Sequence, residues 1–116
     1  MEEIFEKIKE FLQAKNAQLE IMDLEDPDEG LLYEITLKEP LELSEEEYHK
    51  LENLIISLHF SIIDTWETIG DNTYERKSYV GVEEYQNKDD VIISVFYTRV
   101  WTKGVETYFI DKIWIE

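Results

Sequence analysis

The stretch Val91-Ile92-Ile93-Ser94-Val95-Phe96-Tyr97-Thr98-Arg99-Val100-Trp101-Thr102-Lys103-Gly104-Val105-Glu106-Thr107-Tyr108-Phe109-Ile110-Asp111-Lys112-Ile113-Trp114-Ile115 decides the fold. It holds two runs of β-branched and aromatic residues, the composition of strands. They meet at Lys103-Gly104, a join short enough to force an antiparallel hairpin. Alternation puts Ile92, Phe96 and Val100 on one face of the first run and Val91, Ile93, Val95, Tyr97 and Trp101 on the other. In the second run Tyr108, Ile110 and Trp114 oppose Val105, Phe109, Ile113 and Ile115. Both faces read as apolar. Either a helix covers each face, or the face left open self-associates, because large apolar patches are rare on monomers. The second reading predicts a homodimer with Tyr97, Trp101, Phe109 and Trp114 at its interface.

Strand signals continue upstream. Phe60, Ile62, Asp64 and Trp66 alternate with Ser61, Ile63, Thr65 and Glu67. Gly70-Asp71-Asn72 reads as a turn. Residues 73–85 alternate through Tyr74, Arg76, Ser78, Val80 and Val82, with Gly81 marking a candidate bulge. Asn87-Lys88-Asp89-Asp90 is the next turn. Before these strands lies a helix over about 45–58. Ser44 and Glu47 form its capping box, Leu43 and Tyr48 its hydrophobic staple, and Tyr48, Leu51, Ile55 and Leu58 its buried stripe. Nearer the N-terminus, Leu31, Tyr33, Ile35 and Leu37 alternate with Leu32, Glu34, Thr36 and Lys38. They pair with a short strand around Ala17, Leu19 and Ile21 across the turn Asp26-Pro27-Asp28-Glu29-Gly30. Ile4, Phe5, Ile8, Phe11 and Leu12 make one stripe of a first helix over 2–15, which Asn16 can close. The order is α-β-β-α-β-β-β-β. It predicts a single α+β domain over 1–116, with two helices packed on an antiparallel sheet of about five to six strands.

Charge narrows the function. The 116 residues carry 28 acidic and 11 basic side chains, net −17. Phosphate binding needs a basic surface, so direct nucleic-acid or anionic-membrane binding is disfavoured. With 43% hydrophobic and 13% aromatic residues, the chain has enough apolar side chain to fold rather than stay a disordered acidic tail. It has no Cys, which removes disulfides, thiolate nucleophiles and thiolate metal sites and fits a reducing compartment. Met1-Glu2-Glu3-Ile4-Phe5-Glu6 lacks the basic and apolar regions of a signal peptide, and no apolar run approaches the ~20 residues of a membrane span. The expectation is a cytoplasmic protein. Glu, Lys and Ile enrichment is a thermophile signal, and an AT-rich genome gives the same bias.

The acids cluster. Residues 20–47 hold 12 acidic groups against Lys38, net −11. Within them stand Asp23, Glu25, Asp26, Asp28 and Glu29 around one turn, and Glu42, Glu45 and Glu46 at the second helix start. A single-sign field this dense opposes folding and exceeds what solubility needs. One explanation is a basic protein partner, met by carboxylates standing where phosphates would lie. The other is a solvated face, with the helix-start acids serving the dipole.

Chemical signatures are weak. Asp26-x-Asp28-x-Gly30 misses the calcium-loop spacing, and Pro27 interrupts it. His49 and His59 form no zinc pair. No phosphate loop, dinucleotide fingerprint or nucleophile triad is visible. No metal, cofactor or catalytic residue is expected, and the chain reads as a non-enzyme. A small enzyme with an unrecognised site and an immunity or antitoxin partner of a basic toxin stay open as alternatives.

Three short runs carry a resemblance. They are Tyr33-Glu34-Ile35-Thr36-Leu37 through Pro40-Leu41-Glu42-Leu43-Ser44-Glu45-Glu46-Glu47-Tyr48, the Gly70-Asp71-Asn72 turn, and Asp111-Lys112-Ile113-Trp114. In layout they resemble the small acidic anti-CRISPR proteins of archaeal rod-shaped and filamentous viruses, type I-D inhibitors included, over roughly residues 33–116. This chain is longer at the N-terminus and has its own loop at 86–90. The resemblance implies an α+β fold, a homodimer and a thermophilic archaeal virus as source. It also implies binding to the large subunit of a CRISPR effector, as a nucleic-acid mimic.

Overall fold

The elements run α1 (Glu2–Ala14), β1 (Leu19–Asp26), β2 (Gly30–Ser44), α2 (Glu45–Ser57), β3 (Ser61–Asn72), β4 (Arg76–Gln86), β5 (Ile92–Thr102) and β6 (Val105–Ile115). The computed structural model describes the backbone of residues 2–26 and 30–116, and the side chains of 3–23 and 33–116. The six strands form one antiparallel sheet in the order β1-β2-β6-β5-β4-β3. The two helices pack on it, as the order of signals predicts. They share one face: Phe5 of α1 stacks on Tyr33 at 4.5 Å, and Tyr48 of α2 stacks on Tyr108 at 3.9 Å.

Local chemistry sets the helix ends. The Ser44 hydroxyl accepts from the Glu47 amide at 3.1 Å, and the Glu47 carboxylate accepts from the Ser44 amide at 3.0 Å. Both halves of the capping box are made. The N–H of Ala17 donates to the Leu12 carbonyl, and Asn16 takes φ +62°, a left-handed C-terminal closure that Asn tolerates. Lys103 and Gly104 both have positive φ, the two-residue turn whose twist suits a hairpin.

The core lies between the helices and the middle of the sheet. Phe5, Ile8 and Leu12 of α1 and Tyr48, Leu51 and Ile55 of α2 meet Ile35, Ile93, Val95, Ile110, Ile113 and Ile115. Each fully buried aliphatic side chain contributes about 1.5–3 kcal/mol.

Four departures from simple alternation matter. First, the strand expected to stop near Lys38 runs on to Ser44. Its register against β6 shifts between Thr36 and Leu41, and Pro40, which cannot donate, sits in that shift. Second, the turn expected at Gly70-Asp71-Asn72 is still strand, with Asn72 paired to Lys77. The Ser78 hydroxyl accepts from the Asp71 amide at 2.8 Å, and Thr73 closes the turn against Arg76 instead. Third, Gly81 is not bulged, because it pairs regularly with Tyr97. Fourth, Asp111 is an extra residue: Lys112 pairs with Phe96 and Ile110 with the adjacent Tyr97.

The Asp111 irregularity overturns the expected faces of β6. Tyr108, Ile110, Ile113 and Ile115 all share the helix face with Tyr97, whereas Phe109, Lys112 and Trp114 lie on the open face. The helix-on-each-face alternative fails too, since both helices occupy one face. A similar irregularity at Ile63 leaves Ile62 opposite Tyr85 and Asp64 opposite Glu84. Ile62 and Asp64 therefore do not share a face, as period-two reading had them.

Candidate acidic interface

The acids singled out in the sequence fall on the β1–β2 side of the molecule. Asp23 is exposed on β1 and pairs with Tyr33 of β2. Glu25 and Asp26 continue β1 beside Leu31 and Gly30. Asp28 and Glu29 lie outside the described residues. Glu42, Glu45 and Glu46 are exposed where β2 runs into α2. Tyr33 lies opposite Ile115 and Glu42 opposite Phe109, six residues of β6, so the two are about 20 Å apart at roughly 3.3 Å per residue. The structure thus splits the acids into two ends rather than one patch. Glu20 and Glu39, both exposed, fall between them and were not singled out by sequence reasoning. The signal for them was their position on the same hairpin, which only pairing reveals.

Few cations answer this flank. Among the described residues Glu42 and Glu46 have no ion pair, and Glu45 has only a 3.7 Å contact with His49. Glu47 differs: Lys15 reaches it at 2.7 Å, and that bond, with the Ser44 cap, holds its pKa down to about 2. It ties α1 to α2 and belongs to the scaffold. The His49 imidazole, hydrogen-bonded to Glu52 at 2.7 Å, has its pKa raised by that carboxylate. Between the loop after α1 and β2 lies a cleft of ≈ 260 Å³ lined by Asn16, Ala17, Gln18, Glu39, Pro40, Leu41 and Glu42.

The four residues expected at a dimer interface do not come together. Tyr97 is 2% exposed beneath α2, and its hydroxyl donates to Glu67 at 2.7 Å. Trp101 shares that face of β5 but lies near the hairpin end, where the Lys77 ammonium stands 5.6 Å from its ring. Phe109 and Trp114 lie on the open face, apart from both. There Trp114 meets Phe96 edge-on at 4.8 Å, with the Lys112 ammonium 4.5–4.7 Å from both rings. Tyr97 cannot serve an interface without removing α2.

Sequence reasoning also missed a buried polar cluster. Glu83, 8% exposed on the helix face of β4, accepts from the Tyr85 hydroxyl at 2.6 Å. Glu52 of α2 lies 3.4 Å from the same hydroxyl. Burial, then the nearby Glu52 charge, raises the Glu83 pKa. Glu52 brings α2 over the cluster. Among the described residues no group of acids and histidines is placed to hold a metal. No helix among them is long and apolar enough to cross a membrane.

No protein-family model matches the chain, and no curated protein does. Among solved structures it is similar to ORF14 from Sulfolobus islandicus filamentous virus, at 18% identity and a TM-score of 0.43. That match covers 72% of this chain and 65% of the other, so it spans just under two thirds of the viral protein's length.

Proposed function

We propose that this protein is a non-enzymatic acidic inhibitor that occupies the nucleic-acid-binding groove of a basic protein. The observation that carries the reading is the exposed carboxylate flank of Glu20, Asp23, Glu39, Glu42, Glu45 and Glu46. Its span of about 20 Å along β2 equals about six phosphate steps of one DNA strand at roughly 3.4 Å per step. The flank needs no reacting group, only charge at the right spacing. The short runs shared with acidic anti-CRISPR proteins point to the large subunit of a type I-D CRISPR effector as the partner.

The test is competition. The effector large subunit, loaded with a fluorescent DNA, is titrated with the protein over a range of salt. Displacement that weakens steeply with rising salt is expected. The triple variant Glu42→Gln, Glu45→Gln, Glu46→Gln should displace at least about tenfold less well and with a shallower salt slope. Undiminished displacement by that variant, or none by the native chain, sinks the proposal.

A further inference from the structure

β3 is the least protected part of the molecule. Each of its twelve residues is exposed, and it pairs with β4 alone, so every second peptide group presents its N–H and C=O outward. Ile62, Ile63, Trp66 and Ile69 are 50–62% exposed along it. Sheet edges are normally guarded by Pro, Lys or outward charge. The opposite edge is guarded: β1 is shorter and carries Glu20, Asp23, Glu25 and Asp26. From Ser61 to Asn72 there is no Pro and no Lys, and the three acids are Asp64, Glu67 and Asp71.

Two of those three acids are ion-paired within the chain, Glu67 to an arginine that it shares with Glu106. Arg99 donates to both oxygens of Glu67, at 3.0 and 3.1 Å, while Tyr97 donates to it at 2.7 Å. Arg76 pairs with Asp71. These are the only two arginines in the sequence. On a chain of net −17, both are placed against the same edge strand. A basic partner would gain nothing from this cancellation. It lowers the like-charge cost of bringing a second acidic copy to this edge.

We infer that β3 pairs antiparallel with β3 of a second copy, across a two-fold axis centred on Trp66, to give one continuous twelve-stranded sheet. The axis stands perpendicular to the sheet, so residues opposite each other must share a face. Irregularities at Ile63 and beyond Ile69 frame a regular stretch, Asp64–Ile69, long enough for the contact. Centring on Trp66 sets Trp66 against Trp66, Thr65 against Glu67 and Asp64 against Thr68. No carboxylate then faces a carboxylate, whereas centring on Glu67 would set two directly opposite, an unfavourable pair. The open-face row Phe96–Val82–Trp66 runs on into the same row of the second copy. The outward peptide groups gain partners and the tryptophans bury area. This inference is independent of the function proposed above: the acidic flank lies on the opposite side of the sheet from β3.

Sedimentation at about 10 µM should show a dimer, with Kd at or below that concentration. Thr68→Glu sets a carboxylate against Asp64 and should weaken the dimer about tenfold, whereas Thr68→Lys should tighten it. Both changes are at an exposed position and leave the fold readable by circular dichroism. Because the chain has no Cys, Trp66→Cys should form a covalent dimer on oxidation while Val105→Cys does not. A monomer at about 100 µM overturns the inference. So does a dimer that both Thr68 variants leave unchanged, or one that Phe109→Glu dissociates while Thr68→Glu does not, since that places the contact on the open face.

Discussion

Glu83 and the tyrosines around it show how one buried acid shapes stability. Its carboxylate accepts from the Tyr85 hydroxyl, so Tyr85→Phe strands a buried acceptor and should cost about 1–3 kcal/mol in urea denaturation. The Tyr48 hydroxyl is buried too but meets no partner at hydrogen-bonding geometry. Tyr48→Phe keeps the stack on Tyr108 and should change stability by less than about 0.5 kcal/mol, or raise it. Two equal losses would refute this division of roles. The pH dependence has a definite sign. Glu83 has a raised pKa in the fold, so its neutral form is the one the fold favours. That stabilisation is complete below the ordinary carboxylate pKa and is lost as pH rises through the raised value. Glu83→Gln stays neutral throughout. Its Tm should match the native chain near pH 4 and exceed it by several degrees at pH 8, both pH values spanning the ordinary carboxylate pKa of about 4.3. An equal offset at both pH values would mean that folding does not raise the Glu83 pKa.

At the scale of elements, the helix caps and one glycine do most to fix the architecture. Ser44→Ala removes the acceptor for the Glu47 amide and should cost about 1 kcal/mol by thermal or urea denaturation. A cost near zero would show that the Lys15–Glu47 bond alone holds the α2 start. Gly81 lies between Tyr97 and Glu67 in adjacent strands, and the Tyr97 ring crosses over it to reach Glu67. A Cβ there would stand 2.7 Å from the Trp66 carbonyl oxygen and 2.9 Å from the Tyr97 hydroxyl. Gly81→Ala should therefore cost about 1–3 kcal/mol and, by prising Tyr97 from Glu67, loosen β3. Hydrogen exchange that speeds up along β3 but not in α2 would confirm that route, and an unchanged Tm would exclude it. The helices were legible in sequence because their signals are local: Ser44 with Glu47, Asn16 past the last turn, and apolar spacing of three and four. The β5–β6 hairpin was legible for the same reason at Lys103-Gly104. The irregularities at Ile63, Pro40 and Asp111 were not. An extra residue leaves no mark in a strand's own alternation and shows only against its neighbour's register; those at Ile63 and Asp111 flip the faces that follow, whereas β2 keeps both Leu37 and Leu43 in the core across Pro40. That is why Trp114, which regular alternation groups with Tyr108 and Ile110, was placed with Tyr97 in one interface that the fold does not make.

At the scale of the whole molecule, charge is separated along an elongated sheet. The principal extents are 49 × 28 × 24 Å, with acids concentrated on the β1–β2 side and both arginines serving β3. The acidic flank was legible as a count over residues 20–47. Its division into two ends linked by Glu20 and Glu39 was not, because it depends on how β2 lies against β1. Such a flank has a stability consequence that can be isolated. Glu45 and Glu46 sit in the first turn of α2, where the dipole favours each by about 0.3–1 kcal/mol. Neutralising them would mix lost attraction with relieved repulsion. Glu20, Glu39 and Glu42 lie outside both helices and are exposed. At these sites mutual repulsion is the main electrostatic effect of the fold. Replacing all three with Gln should raise Tm at about 0.01 M salt, where the screening length is about 30 Å and spans the flank. At about 1 M salt the screening length falls to roughly 3 Å, less than the spacing between neighbouring acids, and the gain should vanish. A gain that persists at high salt would trace to side-chain propensity rather than charge. A loss at low salt would mean that these carboxylates hold the fold together and are not kept at its expense.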